Sequence, residues 1–118
     1  MITNNKVTIY HKSGLDVATR FEKWTRYNYD KVWAFERNSA NITNKINNIN
    51  NIEIRIPYNE NEVNINNLTI GDVIVVGHVE LDISTIQDLR NYHTYVIDNI
   101  TDNKTGNSQH IHIGGKWE

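Results

Sequence analysis

Apolar and polar residues alternate with period two along much of this chain, the signature of strands buried on one face. Over residues 6–11, Val7 and Ile9 share one face while Thr8 and Tyr10 share the other, and Lys12, Ser13 and Gly14 break the run. Residues 20–37 form the most aromatic stretch, with Phe21, Trp24, Tyr27, Tyr29, Trp33 and Phe35 interleaved with charges. Aromatic side chains pack well on a pleated surface, so two strands or one long bent strand are expected there. Residues 28–31 are a candidate turn or bulge, and alternation sets Trp33 and Phe35 opposite Val32, Ala34 and Glu36. Ile52, Ile54 and Ile56 alternate strictly and stop at Pro57, which cannot donate to a ladder and belongs at a strand end or edge. Gly71 and Asp72 turn the chain into residues 73–81, the best central-strand candidate, in which Gly77 predicts a bulge or bend. Residues 94–100 and 108–113 alternate again around a glycine-bearing turn, which predicts a closing hairpin.

Two segments depart from this rhythm. Residues 38–51 (NSANITNKINNINN) are low in complexity and rich in turn formers. Ile42, Ile46 and Ile49 fall at helical spacing, but asparagine is a poor helix former, and a flexible loop is expected. Connections in compact domains have a median of about 4–6 residues, so a loop this long is either functional or disordered. Residues 59–67 are polar and read as a second loop or short hairpin. Ser84, Thr85, Ile86 and Gln87 form a capping-box pattern that opens one short helix through Asn91. Six to seven strands with one short helix predict a single all-β domain over residues 1–118, a small barrel or sandwich.

Composition narrows the chemistry. With 118 residues and 38% hydrophobic positions, the chain can bury one core with little to spare. The net charge of −2 argues against a domain whose main work is gripping nucleic acid. Absence of cysteine removes disulfides and thiolate metal sites. No apolar run approaches bilayer length and residues 1–5 do not open a signal peptide, so cytosolic synthesis with no membrane partner is expected. Asparagine supplies about a sixth of the residues, so the Asn-x-Thr triplets at Asn41, Asn67, Asn99 and Asn103 are expected by chance.

Candidate catalytic constellations are thin. His110 and His112 share one face of a strand and could hold a metal, yet no third ligand stands at a recognisable spacing, with His78, His93 and Asp98 present only by abundance. Glu53, Asp72, Glu80 and Asp82 include no distinguished acid/base pair among 14 acidic residues. Neither a catalytic residue nor a cofactor is therefore expected. Trp24, Tyr27 and Trp33, with Lys23, Arg26, Lys31 and Arg37, could form a single-strand-binding or ligand-binding platform, but Glu22, Asp30 and Glu36 nearly cancel the charge. A core and subunit-contact surface is the stronger reading, with Trp24, Tyr27, Trp33, His110 and His112 as expected contacts.

An ordered succession of residues adds to this picture. It runs Thr8, Ile9, Tyr10, His11, Lys12; Trp24, Arg26, Tyr27; Val32, Trp33, Phe35, Glu36; Ile54, Ile56, Pro57; Gly71, Asp72, Ile74, Val75, Gly77. It continues with Leu89, Arg90, Tyr92; Tyr95, Ile97, Ile100, Thr101, Asp102; Gly106, Gln109, His110; and closes on Gly114, Gly115, Lys116. From about Val7 to Lys116, sparing the Asn-rich stretch, this resembles the head-completion or head–tail connector proteins of tailed phages that infect Gram-positive bacteria.

The resemblance implies a small β-barrel that assembles as a ring, commonly a dodecamer, between portal and adaptor proteins above and tail proteins below. It implies a structural role in the virion neck: closing the DNA channel after packaging and docking the tail, with no enzyme activity and no sequence-specific hold on the genome. It also implies that a long loop reaches the channel. Here that loop would be Asn41, Ile42, Thr43, Asn44, Lys45, Ile46, Asn47, Asn48, Ile49, Asn50 and Asn51, with Ile42, Ile46, Ile49 and Ile52 as an apolar constriction. A neutral asparagine lining would hold passing DNA weakly.

Overall fold

The period-two segments close on themselves. In the computed structural model, which describes residues 3–15, 22–39, 49–83, 85–104, 106 and 109–117, six strands form a closed antiparallel barrel. The strands are β1 (Asn5–Leu15), β2 (Glu22–Ser39), β3 (Ile49–Pro57), β4 (Val73–Val76), β5 (Thr94–Asn103) and β6 (His110–Trp117). Their order around the barrel is β1-β2-β3-β6-β5-β4. Closure pairs most strand edges within the sheet, which removes the usual hazard of edge-to-edge association.

The aromatic stretch is a single strand of 18 residues that serves two neighbours. Its first half pairs with β1, from Leu15↔Glu22 to Asn5↔Val32, and its second half pairs with β3, from Trp33↔Arg55 to Ser39↔Ile49. Between the halves the register slips. Asn5 faces Val32 but Val7 faces Tyr29, so β2 carries one extra residue there. That bulge lies in the 28–31 segment and reverses which parity points inward. Tyr27 and Tyr29 face the interior before it; Val32 and Ala34 do so after it.

Side chains fill the barrel. Val7 and Ile9 from β1, Ile52, Ile54 and Ile56 from β3, Ile74 from β4, Tyr95 and Ile97 from β5, and Ile111 and Ile113 from β6 are all buried in one cluster. Each such aliphatic side chain contributes about 1.5–3 kcal/mol when taken from water. Leu68, Val63 and Ile65 from the 58–72 connection pack against the same cluster. Gly115 points into this core: a Cβ there would lie 3.1 Å from Ile52 Cγ2 and 3.2 Å from Ile74 Cδ1, so the interior has no room for a larger residue.

A second, smaller core lies outside the barrel. Tyr10, Val73 and Val75 on the outer face of β1 and β4 pack against Val79, Ile83 and Leu89, with Trp24 alongside. Residues 77–83 and 85–89 supply this cover. The expected strand over 73–81 therefore ends early, at Val76, because Gly77 takes φ 109° and sends the chain across the barrel wall.

Three other expectations are corrected. Among the described residues there is no α-helix where residues 84–91 predicted one, only a 3-10 turn over Ile86–Leu89. Its start is one residue later than the capping pattern suggested, with the Asp88 carboxylate accepting from the Thr85 N–H at 3.3 Å. Four residues are too few to nucleate a longer helix against the pull of the barrel wall. The Asn-rich loop is also shorter than residues 38–51. Asn38 pairs with Asn50, Ser39 with Ile49 and Arg37 with Asn51, so Ile49, Asn50 and Asn51 belong to β3, while residues 41–48 lie outside the described residues. Ladder bonds to an already formed partner outweigh the weak strand propensity of asparagine. Ile52, expected in a channel constriction, is fully inside the barrel.

Candidate interaction surfaces

The strand pairings set Trp33, Arg55, His112 and Thr101 in one row across β2, β3, β6 and β5. The next row is Phe35, Glu53, Gly114 and Asn99. Both rows lie on the outside, because their neighbours Val32, Ala34, Ile54, Ile111 and Ile113 point inward. Trp33 and Phe35 stack at 6.1 Å with their planes 10° apart, and the Arg55 guanidinium lies 4.8 Å from the Trp33 ring centre. Phe35 remains 48% exposed. Among the described residues Arg55 has no carboxylate partner, so a cation held over an indole keeps its hydrogen-bond donors unspent. This wall is an aromatic and cationic face built on rigid strands.

The outer face of β1, β4 and the first half of β2 carries the crossing strap, residues 77–83. Side chains hold its backbone at successive positions. The Thr8 hydroxyl donates to Gly77 O at 2.8 Å and accepts from Val79 N at 2.9 Å and from Asn28 Nδ2 at 2.8 Å. Asn28 Nδ2 also donates to Val79 O at 2.9 Å. Arg26 donates to Glu80 O, and Tyr10 Oη donates to Leu81 O at 2.5 Å. Arg26 Nη1 then meets Asp82 Oδ1 at 2.9 Å. With its backbone fixed in this way, the strap presents Leu81, 41% exposed, between the carboxylates of Glu80 and Asp82, whose side chains are 82% and 86% exposed.

A third polar group ties the barrel's seam. Asp72 is buried, and its carboxylate accepts from Lys12 N at 3.0 Å and Thr69 N at 2.9 Å, with His11 Nδ1 2.7 Å away. Its backbone carbonyl accepts from Ile97 N at 2.8 Å. All the carboxylate's visible partners are structural, so Asp72 locks the turn into β4 against β1. The interior phenols are held neutral. Burial pushes Tyr29 up to about 12, with the Tyr27 phenol and the Asp72 carboxylate adding to it. Burial likewise raises Tyr95, whose hydroxyl donates to Glu36 Oε1 at 2.9 Å.

The residues expected to act together are separated. Trp33 and His112 share the aromatic wall, with His110 two residues further along β6. Tyr27 faces the interior beside His11, their ring centres 6.3 Å apart, and Trp24 flanks the strap core with Lys12 5.6 Å from its ring centre. Trp24, Tyr27 and Trp33 thus occupy three different surroundings rather than one platform. Among the described residues no group of three or more histidine, aspartate or glutamate side chains converges as a metal site. Sequence reasoning set Trp33 and Phe35 on one face but missed Arg55 as their partner, and missed Glu80, Leu81 and Asp82 as a surface. Arg55 needed the pairing of β2 with β3, and nothing local pointed to the strap surface.

Comparison with known proteins places residues 2–116 in a family of unknown function (DUF6751), and the chain belongs to that family. No curated protein and no solved structure matches it.

Proposed function

We propose that this protein is a structural subunit of a tailed-phage neck, a ring-forming head–tail connector or head-completion protein that closes the DNA channel and docks the tail. The observation that carries this reading is the ordered succession of residues from Val7 to Lys116 that resembles such proteins. Its members fall at points where a barrel of this kind is under constraint. Gly71 and Asp72 make the locked turn into β4, Gly77 releases the strap, and Gly115 leaves space for the core. A closed barrel with two distinct exposed faces suits a building block that must meet neighbours on several sides.

In this reading the subunit acts as one of a ring, with portal and adaptor proteins on one side and tail proteins on the other. Residues 41–48, which follow β2 and precede β3 in the chain, are the proposed channel segment. DNA passes without being read, and no cofactor takes part.

The test is to delete the gene from the phage or prophage genome that encodes the chain, and to image the particles. DNA-filled heads without tails, or heads that have lost their genome, are expected, with the wild-type protein located in the neck by electron cryomicroscopy. Normal infectious particles from the deletion, or absence of the protein from purified virions, would reject the proposal.

A further inference from the structure

We infer that copies of this chain associate head to tail, the Trp33, Phe35 and Arg55 face of one copy seating on the Glu80, Leu81 and Asp82 strap of the next. The inference rests on the self-assembly in the proposed function but names the two surfaces, which nothing above requires.

Three observations carry it. First, the faces are complementary in chemistry. One offers a stacked aromatic pair beside a guanidinium with no carboxylate partner among the described residues; the other offers an exposed leucine between two exposed carboxylates, Asp82 with one oxygen 2.9 Å from Arg26 and Glu80 with one oxygen 3.5 Å from His78. An arginine backed by an indole and supplied with carboxylates is the kind of anchor that dominates interfaces. Second, both faces are already rigid. The aromatic pair stands on paired strands, and the strap is pinned by Thr8, Asn28, Arg26 and Tyr10, so little ordering cost opposes association. Third, they are different patches set apart along β2: the aromatic face stands on the second half of β2 with β3, and the strap lies over β1, β4 and the first half of β2, where Arg26 and Asn28 hold it. Each head-to-tail contact uses one patch of each kind and leaves the other kind open at either end. Such contacts propagate from copy to copy, which yields a ring when the rotation closes and a filament when it does not, and a wild-type chain that stops at a two-fold dimer would overturn the head-to-tail arrangement.

The test uses the full-length purified chain and sedimentation velocity. Wild type is expected to form species larger than a dimer. Phe35→Asp and Leu81→Asp are each expected to weaken association by about thirtyfold or more while keeping wild-type circular dichroism and thermal unfolding. An equimolar mixture of the two variants is the decisive arm. Phe35→Asp retains a sound strap and Leu81→Asp a sound aromatic face, so the mixture must form heterodimers and stop there. Arg55→Glu should also weaken assembly, and adding Glu80→Arg in the same chain should restore it.

A wild-type chain that stays monomeric at the highest attainable concentration would overturn the inference. So would variants that assemble normally, or a mixture that stays monomeric. Binding of a mixed-sequence oligonucleotide that Phe35→Asp abolishes, with self-association unchanged, would assign the aromatic face to nucleic acid instead. Failure of the neck reading is distinguishable, because it would leave assembly in solution intact while the protein was missing from virions.

Discussion

The molecule contains two cores that are held together by different means. The barrel interior is largely aliphatic, dominated by isoleucines delivered by strand alternation from β1, β3, β4, β5 and β6. The strap core on the outer wall has six buried residues among those described, and a large part of its hold comes from side chains bonding to the strap's backbone. Non-directional burial tolerates local shifts, whereas each latch must reach one carbonyl or one amide. The barrel should therefore carry global stability, and the strap should behave as a separable layer whose loosening leaves the barrel closed.

The largest expected effect breaks the first core. Ile54 is fully buried on β3, between β2 and β6. Ile54→Ala removes its outer carbons from a closed interior that cannot collapse easily, and should cost about 2–5 kcal/mol. Urea unfolding followed by fluorescence and circular dichroism should show both signals shifting together. A loss below about 1 kcal/mol would mean that the interior is looser than its burial implies.

Thr8→Val tests the second core at nearly constant shape. Thr8 is fully buried, and its hydroxyl serves Gly77 O, Val79 N and Asn28 Nδ2. Valine leaves those groups without their partner, at a cost of about 1–3 kcal/mol. Hydrogen exchange should show it most clearly: the Val79 amide accelerates while amides of β3 and β6 keep their protection. Uniform acceleration throughout the barrel would show that strap and barrel unfold as one unit and would abolish the distinction.

The same contrast explains what the sequence made legible. The inward faces of β1 and β3 follow from alternation alone, because a closed sheet buries one side of every strand and Val7, Ile9, Ile52, Ile54 and Ile56 sit at matching parity. One long bent strand over 20–37 was one of two readings the pattern allowed, and a bulge one of two at 28–31. The consequence of that bulge, which sets Tyr27 and Trp33 on opposite faces, needed the pairing with β1. The strap was hidden. Val79 and Leu81 continue the alternation of Val73 and Val75, so local pattern extends the strand past Gly77. The partners that draw the segment away are Thr8, Tyr10, Arg26 and Asn28, between 51 and 71 residues earlier in the chain. Long-range latches of that kind leave no periodic trace.

A pH titration sharpens the account of the interior. The Tyr29 phenol is held up to about 12, against about 10 in an unfolded chain, because burial disfavours its charged form. The folded protein therefore keeps a proton that the unfolded chain releases as pH passes 10. Stability from this group is complete below about pH 10 and is lost as pH rises through about 12. Tyr29→Phe should flatten the alkaline fall in stability, measured as urea midpoints from pH 9 to 12. An unchanged slope would show that the other raised phenols, Tyr10, Tyr58 and Tyr95, account for the decline.

The smallest expected effect lies on the strap's outer surface. Asp82 meets Arg26 at 2.9 Å, but its side chain is 86% exposed, and water screens such a pair so well that its net worth is usually below about 1 kcal/mol. Asp82→Asn preserves shape and can still accept a hydrogen bond from Arg26, so the urea midpoint should move by an amount equivalent to less than about 0.5 kcal/mol. The Val79 amide should also keep its protection, since its bond runs to Thr8 and not to any carboxylate. A marked loss of strap protection in Asp82→Asn would mean that the surface ion pair, rather than the buried hydroxyl and amide latches, holds the second core closed. The difference between the two cores would then be one of charge and not of hydrogen-bonded fit.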